Sequence, residues 1–120
     1  MTTNDVTDLI EDTLASLPER MSGNEANEHV ARKLRELAIH HRAALLGALE
    51  SFLAFRVTAA ERTSEDAVHE ARLWLALDVA EQLGLSELKP KIEILVADVR
   101  NGRVLLPVHE TSVARYVHRL

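Results

Sequence analysis

The sequence predicts an all-α domain of five or six helices, and three observations support this prediction. Apolar residues recur at steps of three and four through most of the 120 positions, which is the spacing of one helix face. The chain has only four glycines and three prolines, too few for the regular turns of a β-sandwich or barrel. Hydrophobic residues make up 47% and charged residues 28%, a balance that excludes a disordered chain and a membrane-spanning one. This length fits a single domain, residues 1–120.

The first predicted helix has an apolar face and is closed by Pro18. That face consists of Val6, Leu9, Ile10, Leu14 and Leu17. A capping box at Ser22 and Glu25 opens the next helix, since the hydroxyl accepts an amide hydrogen bond and the glutamate reaches back. The apolar stripe that follows is Val30, Leu34, Leu37, His41, Leu45, Ala48, Phe52 and Phe55. A single helix carrying it would be roughly 50 Å long, so we expect a break near 39–42 that gives two helices.

Two stretches that are apolar on most sides, residues 43–55 and 73–83, are predicted to form the centre of the domain. The second belongs to a helix that opens at Thr63 or Ser64 and ends at Gly84, which we expect to be left-handed.

Two further helices follow in the prediction. Ser86 caps a helix that tolerates Pro90 in its first turn and ends at 101–102. Pro107 precedes the last helix. The expected buried faces are Leu88, Ile92, Leu95, Val96 and Val99 in the first of these helices, and Val113, Tyr116, Val117 and Leu120 in the second.

Residues 64–99 resemble a HEAT repeat. The shared features are an acidic helix start, an alanine-rich helix, a glycine stop and a short turn into a second helix. They are carried by Glu65, Asp66, Val68, Ala71, Leu83, Gly84, Ser86 and Pro90. The resemblance implies helical hairpins that stack side by side and a scaffold for protein interaction. No second repeat of this kind is visible, so an orthogonal or up-down helical bundle is the alternative.

The residue types exclude several kinds of chemistry. The absence of cysteine excludes a disulfide scaffold, a cysteine-ligated metal and a thiol nucleophile. There is no Gly-x-Ser-x-Gly motif and no glycine-rich phosphate loop. The six histidines lack metal-ligand spacing, and pairs such as Glu65 and His69 are typical of exposed helix faces. We therefore expect no catalysis, no cofactor and no metal.

Neither a secretory signal nor a membrane span is predicted. The chain begins MTTNDV, without a basic stretch and an apolar run, and its most apolar stretch, residues 73–80, is too short to cross a bilayer. A cytoplasmic location is expected.

Two polar residues interrupt the apolar faces. His41 lies on the long stripe, and we expect a core histidine bonded to a neighbour. Asp78 follows Trp74 by one turn in an apolar stretch, where a buried carboxylate needs a partner. The expected partner is His41, Arg56 or an arginine of the C-terminal segment, unless the position is on the surface. The alternative is an acid in a small ligand pocket beside Trp74.

Charge is distributed in four blocks that sum to −5: residues 1–30 carry −6, 31–60 carry +3, 61–99 carry −5 and 100–120 carry +3. The acidic groups at residues 5–12 and 61–70, including Glu65 and Asp66, predict a surface for a basic protein partner. The basic helix face at Arg32, Arg35 and Arg42 is expected to be solvated. Binding of nucleic acid is disfavoured because the chain is acidic and no aromatic residue interleaves the arginines.

These observations predict a small bacterial-type interaction protein without catalysis. One concrete version is an immunity-type or neutralising binder whose acidic surface covers a basic partner. The alternative is a ligand-binding or regulatory helical bundle with a pocket near Trp74 and Asp78.

Overall fold

The computed structural model describes residues 1–56, 63–103 and 110–120, and these residues form six α-helices, one 3-10 turn and no strand. The prediction of an all-α fold with five or six helices is confirmed. The helices are α1 (Thr3–Ala15), α2 (Gly23–His40), α3 (Arg42–Leu53), α4 (Ser64–Leu83), α5 (Lys89–Arg100) and α6 (Glu110–Arg119), with the 3-10 turn at Ser86–Leu88. The Cα radius of gyration is 13.9 Å, as expected for a compact chain of this length.

Helix α1 begins at a capping box that the sequence analysis did not identify. The Thr2 hydroxyl accepts from the Asp5 amide at 3.2 Å, and the Asp5 carboxylate accepts from the Thr2 amide at 2.8 Å. The helix then packs closely on α3. A Cβ at Gly47 of α3 would lie 2.5 Å from the Thr3 hydroxyl oxygen, so any larger residue there would require the Thr3 side chain to shift.

The predicted break between α2 and α3 is confirmed at His41, whose φ of −138° and ψ of 43° are not helical. The expectation that His41 lies in the core is wrong, because its side chain is exposed. The chain changes direction at this residue, so the apolar stripe does not continue through it. Ile39, two positions earlier, is also exposed, at 72%.

Helix α4 occupies the centre of the bundle, as predicted. It packs against α2, α3 and α6, and its buried residues are Leu73, Leu75, Ala76, Leu77, Val79 and Ala80. The start and the end of α4 also agree with the prediction. Thr63 caps its first turn, and Gly84 ends it with a φ of +63° while the Leu85 amide donates to the Ala80 carbonyl at 2.9 Å.

The segment after α4 differs from the prediction in one respect. Ser86 begins a 3-10 turn and makes no side-chain cap, so α5 begins three residues later, at Lys89. Pro90 lies in the first turn of α5, where no intrahelical amide bond is lost. The predicted stop at residues 101–102 is confirmed, with Gly102 at a φ of +70°. Pro107 lies outside the described residues.

The fully buried apolar side chains form one cluster to which all six helices contribute. Helix α3 lies between α1 and α4, while α6 packs mainly on α5 and to a lesser extent on α4. The resemblance to a HEAT repeat implies that α4 and α5 form a hairpin. Their mutual contact is not the principal contact of either helix, and HEAT-like stacking stays a prediction.

Candidate functional site

The first half of α4 projects from the core. None of the residues from Ser64 to Ala71 is fully buried, and burial begins only at Leu73. Val68 is 52% exposed, although a valine is normally found inside a domain. This half of α4 therefore lies on the surface, and burial of an apolar helix face does not account for its presence.

Among the contacts near the projecting half of α4 are an ion pair to α1 and a ring contact beyond the end of α3. The Arg72 guanidinium donates to both carboxylate oxygens of Glu11 on α1, at 2.6 and 2.7 Å. This bidentate pair lowers the pKa of Glu11. One turn earlier, the His69 ring stacks on Phe55 beyond the end of α3, with ring centroids 4.6 Å apart. The side chains of α1, α3 and α4 therefore meet at this end of the bundle.

Further carboxylates lie on the two helices that the Glu11–Arg72 pair joins, and we call them and Val68 the acidic surface. Its members are Asp8 and Asp12 on α1, and Glu65, Asp66, Val68 and Glu70 on α4. Asp66 also accepts the Thr63 amide at 2.9 Å and completes the helix cap. Glu65 lies 3.5 Å from His69, which confirms the predicted i,i+4 pair. The two acidic blocks of the sequence thus contribute to neighbouring helices.

Asp78 lies farther along α4 and is half-buried. Its Oδ2 accepts from Asn27 Nδ2 of α2 and its Oδ1 accepts from the Tyr116 hydroxyl of α6, both at 2.6 Å. The predicted ion pair of Asp78 is wrong within the described residues. Arg56 instead pairs with Asp98 at 3.0 Å and donates to carbonyls at the end of α3. Neutral donors satisfy this carboxylate because the registers of α2 and α6 place an amide and a phenol beside it.

The surroundings of Asp78 are polar and shallow. A cavity of about 170 Å³ is lined by Asn24, Glu28, Asp78 and Gln82. The Trp74 and Tyr116 rings pack at a tilt of 49°, with centroids 6.4 Å apart. Burial, together with the hydrogen bond to Asp78, raises the pKa of Tyr116. The two candidate residues Trp74 and Asp78 are therefore linked through Tyr116, and His41 does not take part.

The candidate arginines fall into two groups. The Arg42 side chain is 39% exposed, and its guanidinium donates to both carboxylate oxygens of Glu87, which lowers the pKa of Glu87 to about 2. Arg32 and Arg35 remain exposed on α2, and neither has an ion pair within residues 1–56, 63–103 and 110–120. The C-terminal arginines are mostly paired: Arg100 with Glu110, Arg103 with Asp98 and Arg119 with Glu81.

Neither a metal cluster nor a membrane-spanning helix is found in the described part of the chain. No three His, Asp or Glu side chains there are grouped as a metal site would require. No helix there has the length and apolar character to cross a membrane.

Three residues of these clusters were not predicted as site residues: Asn27, Glu11 and Tyr116, of which only Tyr116 was expected on a buried helix face. Asn27 precedes Val30 by three positions and Tyr116 follows Val113 by three, so both extend a buried helix face. A polar side chain at such a position is the signal that could have identified them. Glu11 carries no comparable signal, because acidic residues are common on an exposed face.

Comparison with protein-family models, with curated proteins and with solved structures found no significant match.

Proposed function

We propose that the protein is a non-catalytic interaction module whose acidic surface binds a basic surface of another protein, as an immunity-type or neutralising binder does. The observation that carries this proposal is the projecting half of α4, which adds nothing to the buried core and presents carboxylates around the exposed Val68. Protein interfaces combine an apolar centre with a polar rim, and Val68 with the acidic residues beside it on α4 is a small patch of that kind.

The charge distribution supports the same choice of partner. Several arginines form ion pairs with acidic residues of the same chain. Arg72 pairs with Glu11, and Arg42 pairs with Glu87. Asp8 and Asp12 make no such pair within the described residues. An excess of negative charge accelerates encounter with a basic partner and makes the complex sensitive to salt.

The test is capture from the native host followed by binding of the purified partner. The variant Asp12→Lys with Glu65→Lys is compared with the control Glu36→Lys with Glu93→Lys, which changes the net charge equally on exposed faces of α2 and α5. We expect the first variant to weaken binding by about tenfold or more and the control to bind nearly as wild type. Equal loss in both variants, or binding that is indifferent to salt, would contradict the proposal.

A ligand-binding bundle is the second candidate, and the cavity beside Asp78 is the observation that favours it. Its volume of about 170 Å³ is below the roughly 300 Å³ at which ligand pockets usually begin, and both oxygens of Asp78 already accept hydrogen bonds. A thermal-shift screen with metals and metabolites tests it. A rise of several degrees in wild type that is absent in Gln82→Trp, which fills the cavity from an exposed position, would favour this candidate.

A further inference from the structure

Helix α2 borders an open cavity of about 400 Å³ that the proposed function does not use. Three side chains of the described residues line it: His29, Arg32 and Lys33. Its volume lies within the roughly 300–1,000 Å³ that is usual for small-molecule sites, and it exceeds that of the cavity beside Asp78. All three side chains are basic, and none of the described lining residues is acidic. The chemistry of this lining therefore suits a negatively charged ligand.

The helical register of α2 brings these three side chains together. Arg32 and Lys33 follow His29 by three and four positions, so both are its neighbours on the helix surface. His29 is half-buried, whereas Arg32 and Lys33 are exposed. The imidazole therefore offers a hydrogen-bond donor close to the bundle, and the two longer side chains offer charged donors on the solvent side.

The two cations at this cavity are not neutralised by their own helix. Glu28 and Glu36 each lie four positions from Arg32, a spacing at which ion pairs commonly form. In the parts of the chain that the structure describes, however, neither Arg32 nor Lys33 forms an ion pair. Glu28 instead lines the cavity beside Asp78. Positive charge is therefore concentrated at one place on a chain whose net charge is −5.

We propose that this cavity binds the phosphate group of a small organic phosphate through Arg32, Lys33 and His29. The guanidinium can donate to two phosphate oxygens at once, the ammonium adds a second positive charge, and the imidazole donates to a further oxygen. A cavity of about 400 Å³ has room for more than a phosphate ion, so the ligand carries an organic part. No aromatic residue is among the described lining residues, which leaves a nucleic-acid base without a stacking surface. The three residues lie outside the acidic surface, so this inference is independent of the proposed interaction function.

Titration of the full chain with inorganic phosphate at constant ionic strength, followed by NMR spectroscopy, tests the anion site. We expect saturable shifts of the His29 ring and of the neighbouring α2 amides, with millimolar affinity because the two cations are exposed. Arg32→Gln with Lys33→Gln should weaken binding by at least about tenfold, since two charge-assisted contacts are lost. The matched control, Arg35→Gln with Lys91→Gln, removes one arginine and one lysine from exposed positions outside the lining and should bind nearly as wild type. Absence of a saturable shift at His29, or an equal loss in both variants, would overturn the proposal.

A second set of titrations identifies the source of the phosphate group. Glycerol phosphate and ribose phosphate are compared with inorganic phosphate and with glycerol and ribose. We expect at least one of the two esters to bind at least about threefold more tightly than inorganic phosphate, with the same dependence on Arg32 and Lys33, and the uncharged parents to cause no shift. If inorganic phosphate binds as tightly as both esters, the cavity does not recognise an organic part and the proposal is wrong. Vesicles of phosphatidylcholine with and without phosphatidic acid provide the last comparison, and sedimentation of the protein with the phosphatidic acid vesicles alone would assign the phosphate to a membrane and contradict a small ligand.

Discussion

Replacement of Tyr116 by phenylalanine tests the link between α4 and α6 most directly. The substitution keeps the ring beside Trp74 and removes only the hydroxyl that donates to Asp78 at 2.6 Å. A hydrogen bond to a charged acceptor contributes about 1.5–3 kcal/mol, and the half-buried position of both residues favours the lower end. We expect Tyr116→Phe to lower the free energy of unfolding by about 1–2 kcal/mol, which corresponds to roughly 4–8 °C in Tm for a chain of this length.

The same hydroxyl should make the stability depend on alkaline pH. Burial and the hydrogen bond to Asp78 raise the pKa of Tyr116 above its usual value of 10.0. Above that pH the unfolded chain loses the phenolic proton while the folded chain keeps it, so stability is complete below pH 10 and falls as the pH rises towards the folded pKa. The slope is at most about 1.4 kcal/mol per pH unit, and solvent screening of the half-buried ring limits the pKa shift and therefore the total loss of stability.

Urea denaturation of wild type and Tyr116→Phe between neutral and alkaline pH measures both effects. The chain has one tryptophan and one tyrosine, so Trp74 fluorescence reports unfolding and the absorbance of tyrosinate reports only residue 116. The difference in stability between the two proteins should be largest at neutral pH and should shrink above pH 10. Equal stability at neutral pH, or titration of Tyr116 at its usual pKa in the folded protein, would refute the proposed role of the hydrogen bond.

Three further predictions concern the fold and its ion pairs, and all are measured by thermal or chemical denaturation. Gly84→Ala should cost about 1–2 kcal/mol because the residue has a φ of +63°, whereas Gly23→Ala, with open space around it, should be neutral or stabilising by up to about 1 kcal/mol; similar effects of the two would contradict the left-handed stop. Leu77→Ala should destabilise by about 2–5 kcal/mol, since the side chain is fully buried in α4, and a loss below 1 kcal/mol would argue against the central position of this helix. Arg42 lowers the pKa of Glu87 from 4.5 to about 2. The stabilisation from this ion pair is therefore present above pH 4.5 and is lost as the pH falls towards 2. The stability difference between wild type and Glu87→Gln should vanish over that range.

The helices were predictable where the sequence carries its own local signals. Helix α4 is the clearest case, because Thr63 caps one end, Gly84 stops the other, and the residues from Leu73 onward are apolar on most sides. The break at His41 was predictable from the length of the stripe, but the orientation of that side chain was not. Periodicity describes a continuous helix, and it gives no information on a residue at which the helix is interrupted.

The partners of the polar side chains could not be predicted. Asp78 needed a partner on physical grounds, yet its donors lie 51 and 38 positions away in sequence. Arg42 has the pattern of a solvated face, and Glu87, 45 positions away, engages it. Pairing of this kind depends on how helices are placed relative to one another, and a single sequence does not encode that placement in its spacing.

In the projecting half of α4, the residues exposed at the surface are distinct from the residues that stabilise the core. Residues from Ser64 to Ala71 contribute no fully buried side chain. Substitutions among them, apart from the cap residue Asp66 and the stacked His69, leave the core untouched and usually change stability by no more than about 0.5 kcal/mol. In α4 the buried residues that stabilise the bundle begin at Leu73, and they lie outside this surface. Charge and shape at this end of the molecule can therefore diverge rapidly between related chains while the fold stays constant, which is the property that a binder needs when its partner changes.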